Sequence, residues 1–197
     1  MVGKASTEPS QVVPEVPTRA FRQDGIAGAF PIVMMGVCGA GKTLVGRRLA
    51  ERLGRRFVEG DDFHPGANVR KMASGVPLTD ADRWPWLDAL GSTIARADGR
   101  GIVASCSALR RRYRERLRSH SPRPILFVLL DVPEPELARR MRERKDHFMP
   151  PALLESQLAT LEEPIDETGV IRINGAMAID AIADGVLSHM SAMSLGT

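Results

Sequence analysis

The chain is short of almost everything that staples, anchors or stacks a protein. Its 197 residues include two cysteines, Cys38 and Cys106, too few for a disulfide framework in a domain large enough to bury its own core. That usage fits a reducing compartment. No run of 18 or more apolar residues occurs, and no charged N-terminal stretch leads into an apolar one, so neither a membrane span nor a secretory signal is expected and the location reads as cytoplasmic. Aromatic residues make up 5%, with a single tyrosine, which leaves little for stacking exposed bases. Only Asn68 and Asn174 are asparagines, and neither opens the N-K-x-D stretch by which GTPase switches read guanine. Lysine is scarce as well: Lys4, Lys42, Lys71 and Lys145 against 27 basic residues in all. The net charge of +3 is too small to name a polyanionic partner. The densest basic stretch, Arg110 to Arg118, holds only Tyr113 as an aromatic and reads as a solvated face, with no nucleic acid expected.

What is present is the alternation of an α/β domain, with 43% hydrophobic and 26% charged residues. Residues 1–28, interrupted by Pro9, Pro14 and Pro17, read as a flexible leader, and residues 29–197 as one domain. Pro31-Ile-Val-Met-Met-Gly36 suits a buried parallel strand. A helix from Lys42 to about Leu53 follows, with Val45, Leu49 and Leu53 on one face and Gly54 placed to end it. Phe57 to Gly60 is a second strand, with Asp61, Asp62 and His64 on the loop beyond it. Thr79 to Asp82 resembles a capping box opening a helix toward Ala97. Strands at 101–105, 125–131 and 169–174 alternate with an Arg-rich helix at 109–119, helices after Pro133 and around Leu154, Leu158 and Leu161, and a closing helix with Ile179, Ile182, Val186 and Met190 on its apolar face. Five strands so spaced predict a parallel sheet covered on both sides, with ligands at the C-terminal strand ends.

Gly36-Val-Cys-Gly-Ala-Gly-Lys42-Thr43 satisfies G-x-x-x-x-G-K-[ST] between a strand and a helix. Gly36, Val37, Cys38, Gly39, Ala40 and Gly41 turn their N–H groups inward at a helix N-terminus. Lys42 reaches the terminal phosphates, and Thr43 offers its hydroxyl to Mg²⁺. The motif establishes phosphate binding, not the acceptor. The chain is short for a motor. Asp131 ends an apolar strand as a metal-binding carboxylate could, yet Pro133 and an Arg-rich helix follow, and it reads as a strand-end residue. A small-molecule kinase needs a carboxylate on the acceptor hydroxyl and cations that close over the phosphate. Asp61 is the candidate carboxylate, with Asp62 as its rival, and Arg139, Arg140, Arg142 and Arg144 lead into a lid at about 140–152 that would exclude water.

These pieces, with Glu59-Gly-Asp-Asp-Phe-His-Pro65, Asn68-Val-Arg-Lys-Met-Ala-Ser-Gly75, Pro77-Leu-Thr-Asp-Ala-Asp-Arg83, Pro85-Trp86-Leu87, Cys106-Ser-Ala-Leu109, Tyr113-Arg114 and Arg144-Lys-Asp-His-Phe148, resemble the gluconokinases of the short P-loop type. The likeness runs from about Ile32 to Leu187. It implies a three-layer P-loop fold of the nucleoside-monophosphate-kinase kind, shared with shikimate kinases. It also implies ATP and Mg²⁺, transfer to the 6-hydroxyl of D-gluconate, and a homodimer. On the matching positions, Asp61 becomes the acceptor-orienting base with His64 beside it. Arg70 and Lys71 grip the sugar acid with help from Ser107, Arg110 meets phosphate or carboxylate, Arg140 and Arg144 neutralise ATP phosphates, and Asn174 lies near the adenine.

Three positions depart from the family pattern: Glu59 stands where aspartate is usual, Asp62 where an apolar or aromatic residue is usual, and no glycine precedes His147 in the lid. Two alternatives stand beside this reading. One is a kinase for another small anion such as shikimate. The other is a nucleotide-binding regulator that has lost turnover, supported only by the basic stretch at 110–118.

Overall fold

The computed structural model describes residues 30–143 and 151–195; the expected leader and residues 144–150 of the expected lid lie outside them. Strand β1 (Ile32–Met35) is four apolar residues with no solvent exposure, sandwiched between two helical layers. Its period of two sends Ile32 and Met34 to one face of the sheet and Val33 and Met35 to the other. Helix α1 (Lys42–Leu53) ends where expected, at Gly54, whose left-handed φ of 62° lets its N–H reach the carbonyls of Ala50 and Glu51. Then come β2 (Arg56–Glu59), a 3-10 turn (Gly60–Phe63), α2 (Gly66–Ala73), α3 (Asp80–Ala95), β3 (Ile102–Ser105), α4 (Arg111–His120), β4 (Leu126–Asp131), α5 (Glu134–Glu143), α6 (Pro151–Thr160), β5 (Val170–Asn174) and α7 (Ile179–Leu195).

The strands form one parallel sheet in the order β2-β3-β1-β4-β5. One core layer packs Val45, Leu49, Leu137, Leu154, Ile182 and Val186 of α1, α5, α6 and α7 against Ile32, Met34 and Val128. The other packs Trp86, Leu87, Leu90, Tyr113 and Leu117 of α3 and α4 against Val33, Met35 and Phe127. This is the three-layer arrangement that alternating strands and helices predict. β1 is central, and the chain runs first to its β3 side and then to its β4 side. Crevices outside the carboxyl ends of strands at such a reversal bind ligands.

The capping box at α3 is formed: Asp82 N–H donates to Thr79 Oγ1 at 3.3 Å and Thr79 N–H to Asp82 Oδ2 at 2.7 Å. Helix α2 is an element that apolar periodicity does not single out, since Asn68 is its only buried residue. Asp131 ends β4 as an exposed residue whose carboxylate accepts from Arg172 Nε at 3.0 Å, in keeping with a strand-end role.

Candidate active site

The turn after β1 carries positive φ at Gly36 (136°), Gly39 (80°) and Gly41 (95°), a backbone path that L side chains rarely follow. Gly36 N–H donates to the carbonyl of Ser107 at 3.2 Å, which ties the phosphate loop to the segment beyond β3. Lys42 curls back over the loop, its Nζ donating to the carbonyl of Val37 at 2.9 Å. Burial lowers its pKa, and the negative charge of Asp61 acts most strongly in the opposite direction. Thr43 Oγ1 donates to Glu59 Oε2 at 2.7 Å, and Ser105 Oγ donates to the other oxygen of the same carboxylate. Glu59 thus joins the ends of β2 and β3 to the start of α1. From α6, Gln157 Oε1 accepts the N–H of Cys38 at 2.7 Å.

Asp61 is exposed at the start of the 3-10 turn, and its carboxylate makes no hydrogen bond or ion pair among the described residues. Its charge acts on Lys42, His64 and Cys106, whereas Asp62 enters none of these. Of the two aspartates, Asp61 is therefore the one whose charge bears on the phosphate-loop lysine. The backbone before it is fixed tightly. A β-carbon on Gly60 would stand 2.0 Å from the carbonyl oxygen of Ser105, so only glycine fits, and Gly60 N–H donates to Ser105 Oγ at 3.1 Å. Trp86 Nε1 donates to the carbonyl of Gly60 at 2.7 Å, and the same indole stacks on His64 with ring centroids 4.1 Å apart. Burial holds the His64 pKa below its ordinary value, with the positive charge of Arg83 adding to the effect and Asp61 opposing it. The imidazole is then neutral near pH 7, with one donor and one acceptor nitrogen. Cys106 is fully enclosed and its thiol is pushed up to about 12 by burial, so it is inert as a nucleophile.

The basic residues divide into committed and uncommitted groups. Lys71 Nζ donates to Asp82 Oδ2 at 2.5 Å. Arg110 stands 3.6 Å from Asp80. Arg70 is exposed and has no acidic partner among the described residues. Ser107 is half-buried beside the phosphate loop. Arg140 reaches over that loop: Nη1 lies 3.5 Å from the carbonyl of Gly39 and 3.4 Å from that of Ala40, while Nη2 donates to the carbonyl of Gly175 at 3.0 Å. Next to Gly175, Asn174 closes a small turn by accepting the N–H of Ala176 at 2.9 Å. The sheet's C-terminal edge thus gathers Lys42, Thr43, Asp61, His64, Ser107, Arg140 and Asn174. Arg144 lies outside the described residues.

The Arg-rich helix is fully engaged. Arg111, Arg112, Arg116 and Arg118 pair with Glu115, Asp80, Asp88 and Glu167, and the buried Arg114 forks onto Glu167, with an Nη2 to Oε2 distance of 2.5 Å. Arg114 Nη1 also donates to the carbonyls of Ala108, at 3.0 Å, and Leu109, at 3.2 Å, bracing a loop in which Ala108 holds a φ of 45°. With Arg110, six arginines share four carboxylates, so most of the charge of this stretch is held in ion pairs, which weakens the one feature that favoured a nucleic-acid-binding regulator. Pattern reading alone did not assign roles to Glu59, Ser105, Trp86, Arg83 or Gln157. Trp86 carried a signal, since a buried indole N–H at the mouth of a site needs a polar partner; the Gln157 contact spans 119 positions and left none.

A family model described as an AAA domain matches residues 32–164. A gluconokinase of Gluconobacter oxydans is 50% identical over 165 residues, 82% of this chain and 91% of that protein. The thermoresistant gluconokinase of Escherichia coli is 39% identical over 160 residues, 79% of this chain and 88% of that one. Among solved structures, a gluconokinase from Sinorhizobium meliloti superposes with a TM-score of 0.77 at 45% identity, covering 84% of this chain and 94% of that chain. A shikimate kinase from Bacteroides thetaiotaomicron gives 0.61 at 17% identity, covering 82% and 98%, a likeness of fold alone.

Proposed function

Since the chain belongs to the gluconokinase family of P-loop kinases, we propose that it transfers the γ-phosphoryl group of ATP to the 6-hydroxyl of D-gluconate. The observation that carries the mechanism is an exposed carboxylate, Asp61, that makes no hydrogen bond or ion pair among the described residues and whose charge acts on Lys42 of the phosphate loop. A primary hydroxyl is a weak nucleophile at neutral pH. Asp61 accepts its proton as the new P–O bond forms, while Lys42 and the loop N–H groups meet the charge on the transferring phosphoryl oxygens. Arg140 covers the phosphates and keeps water from taking the place of the acceptor, a role that the family resemblance also gives Arg144. His64, Ser107 and Arg70 line the acceptor side. Lys71, hydrogen-bonded to Asp82, and Arg110, 3.6 Å from Asp80, add positive charge there.

The residues suit Mg²⁺. Thr43 and Glu59 offer hard oxygen donors, and among the described residues no three acidic, histidine or cysteine side chains gather to hold an ion, so most ligands would have to come from phosphates and water. Thr43 and Glu59 would hold the ion, which supplies neutralisation of phosphate charge when bound. The same reading includes a cytoplasmic location and a homodimer, the latter checked by light scattering on the eluting protein. No helix among the described residues is long and apolar enough to cross a membrane.

Phosphorus NMR of the reaction mixture tests the proposal. D-gluconate and ATP are expected to yield ADP and a phosphate monoester coupled to the two protons of C6. An ester at another carbon, or inorganic phosphate alone, contradicts it.

A further inference from the structure

We propose that a basic cavity at the N-terminal ends of β2 and β3, on the sheet edge opposite the phosphate loop, binds a small ligand carrying two phosphoryl groups. The cavity measures about 640 Å³, within the range of small-ligand sites of about 300–1,000 Å³, and its lining includes Arg55, Arg56, Arg96 and Arg100. Arg55 and Arg56 stand where α1 gives way to β2, Arg96 follows the last residue of α3, and Arg100 lies just before β3. Four guanidinium groups from three backbone segments thus share the cavity with one acid, Asp98, whose Oδ1 accepts the N–H of Arg100 at 3.0 Å. Helices α1 and α3 end here, and carbonyls of their last turns accept the N–H groups of Gly54 and Arg96 rather than a guanidinium.

Exposed arginines on other faces commonly hold a carboxylate, as Arg52 holds Asp184, Arg116 holds Asp88 and Arg172 holds Asp131. In the cavity, among the described residues, none of the four has an acidic partner, and the side chains of Arg56, Arg96 and Arg100 make no hydrogen bond. Arg55 is half-buried, and its Nη1 donates to the carbonyl of Phe30 at 3.0 Å; burial lowers its pKa, a cost that a bound anion would offset. Cations gathered in a concave surface without counter-ions repel one another and attract an anion. Guanidinium forks match phosphate oxygens through parallel hydrogen bonds, and forks presented from three segments favour a ligand with a second phosphoryl group over one with a single group. The site is separate from the phosphate loop. Strands β2 and β3 pair in parallel with Arg56 opposite Ile102 and Glu59 opposite Ser105, so the cavity lies three residue steps, about 10 Å, from the end that carries Glu59.

Calorimetric titration of the full chain with pyrophosphate, without nucleotide or Mg²⁺, tests the site. The wild type is expected to bind at two places, the phosphate loop and the cavity. Lys42→Met should lose the first and keep the second. Arg96→Gln combined with Arg100→Gln should keep the first and weaken the second by at least about 10-fold, with an unchanged melting temperature showing that the fold is intact. Inorganic phosphate should bind the cavity of Lys42→Met at least about 10-fold more weakly than pyrophosphate does. A single site that disappears in Lys42→Met, or a second site that the double arginine change leaves untouched, would overturn the proposal. Equal affinity for phosphate and pyrophosphate would overturn the assignment of two phosphoryl groups, and displacement of pyrophosphate by a short RNA duplex would overturn that of a small ligand.

Discussion

At the scale of the residue, the site depends on two opposite charges kept in different states of commitment. Lys42 is half-buried and tied to the Val37 carbonyl, while Asp61 is exposed and its carboxylate makes no hydrogen bond or ion pair among the described residues. Removing each should therefore fail differently. Lys42→Met deletes the charge that meets the phosphates and should abolish measurable turnover. Asp61→Asn keeps the shape and loses the proton acceptor, and should lower kcat by about 100-fold or more, with KM for ATP changed little. Steady-state kinetics of the two variants check this; near-normal turnover in Asp61→Asn removes it from the role of base. The phosphate loop, Asp61 and His64 were all legible in the sequence because each is a short motif beyond a strand end. Gln157 was not assigned, because its bond to the Cys38 N–H spans 119 positions and partners cannot be read from residue type.

At the scale of the element, two loops are held by groups distant in sequence. The turn before Asp61 depends on Gly60, whose Cα approaches the Ser105 carbonyl too closely for any side chain, and on the Trp86 indole of α3. The loop after β3 depends on Arg114 of α4, whose side chain is 1% exposed and bridges Glu167 to the Ala108 and Leu109 carbonyls. Replacing Arg114 with leucine strands a carboxylate that is only 5% exposed and leaves two carbonyls without their donor. Arg118 still faces Glu167, so the expected loss is at the lower end of the range for broken buried pairs, about 3 kcal/mol. Urea unfolding of Arg114→Leu measures it, and a loss below about 1 kcal/mol would show that the pair contributes little. Strand and helix positions were legible because buried β1 and β4 are short apolar runs and α1 and α7 repeat at helical spacing. Helix α2 was not set apart, because a mostly exposed element has no apolar face to announce it.

At the scale of the whole molecule, the fold explains why residues from β1 to β5 meet. A parallel sheet brings every strand's carboxyl end to one edge, so the phosphate loop after β1, Asp61 after β2, Ser107 after β3 and Asn174 after β5 converge there. The order in which the strands lie was not read from the sequence, since alternating elements fix a parallel sheet but not which strand is central. That this edge couples ATP to a sugar acid is checked by ADP release with Mg²⁺ and ATP, comparing D-gluconate, shikimate, a nucleoside monophosphate and no acceptor. Stimulation by D-gluconate alone is expected, and it is lost in Asp61→Asn. Stimulation by shikimate or the nucleotide in its place, or ATP binding with no response to any acceptor, would contradict it.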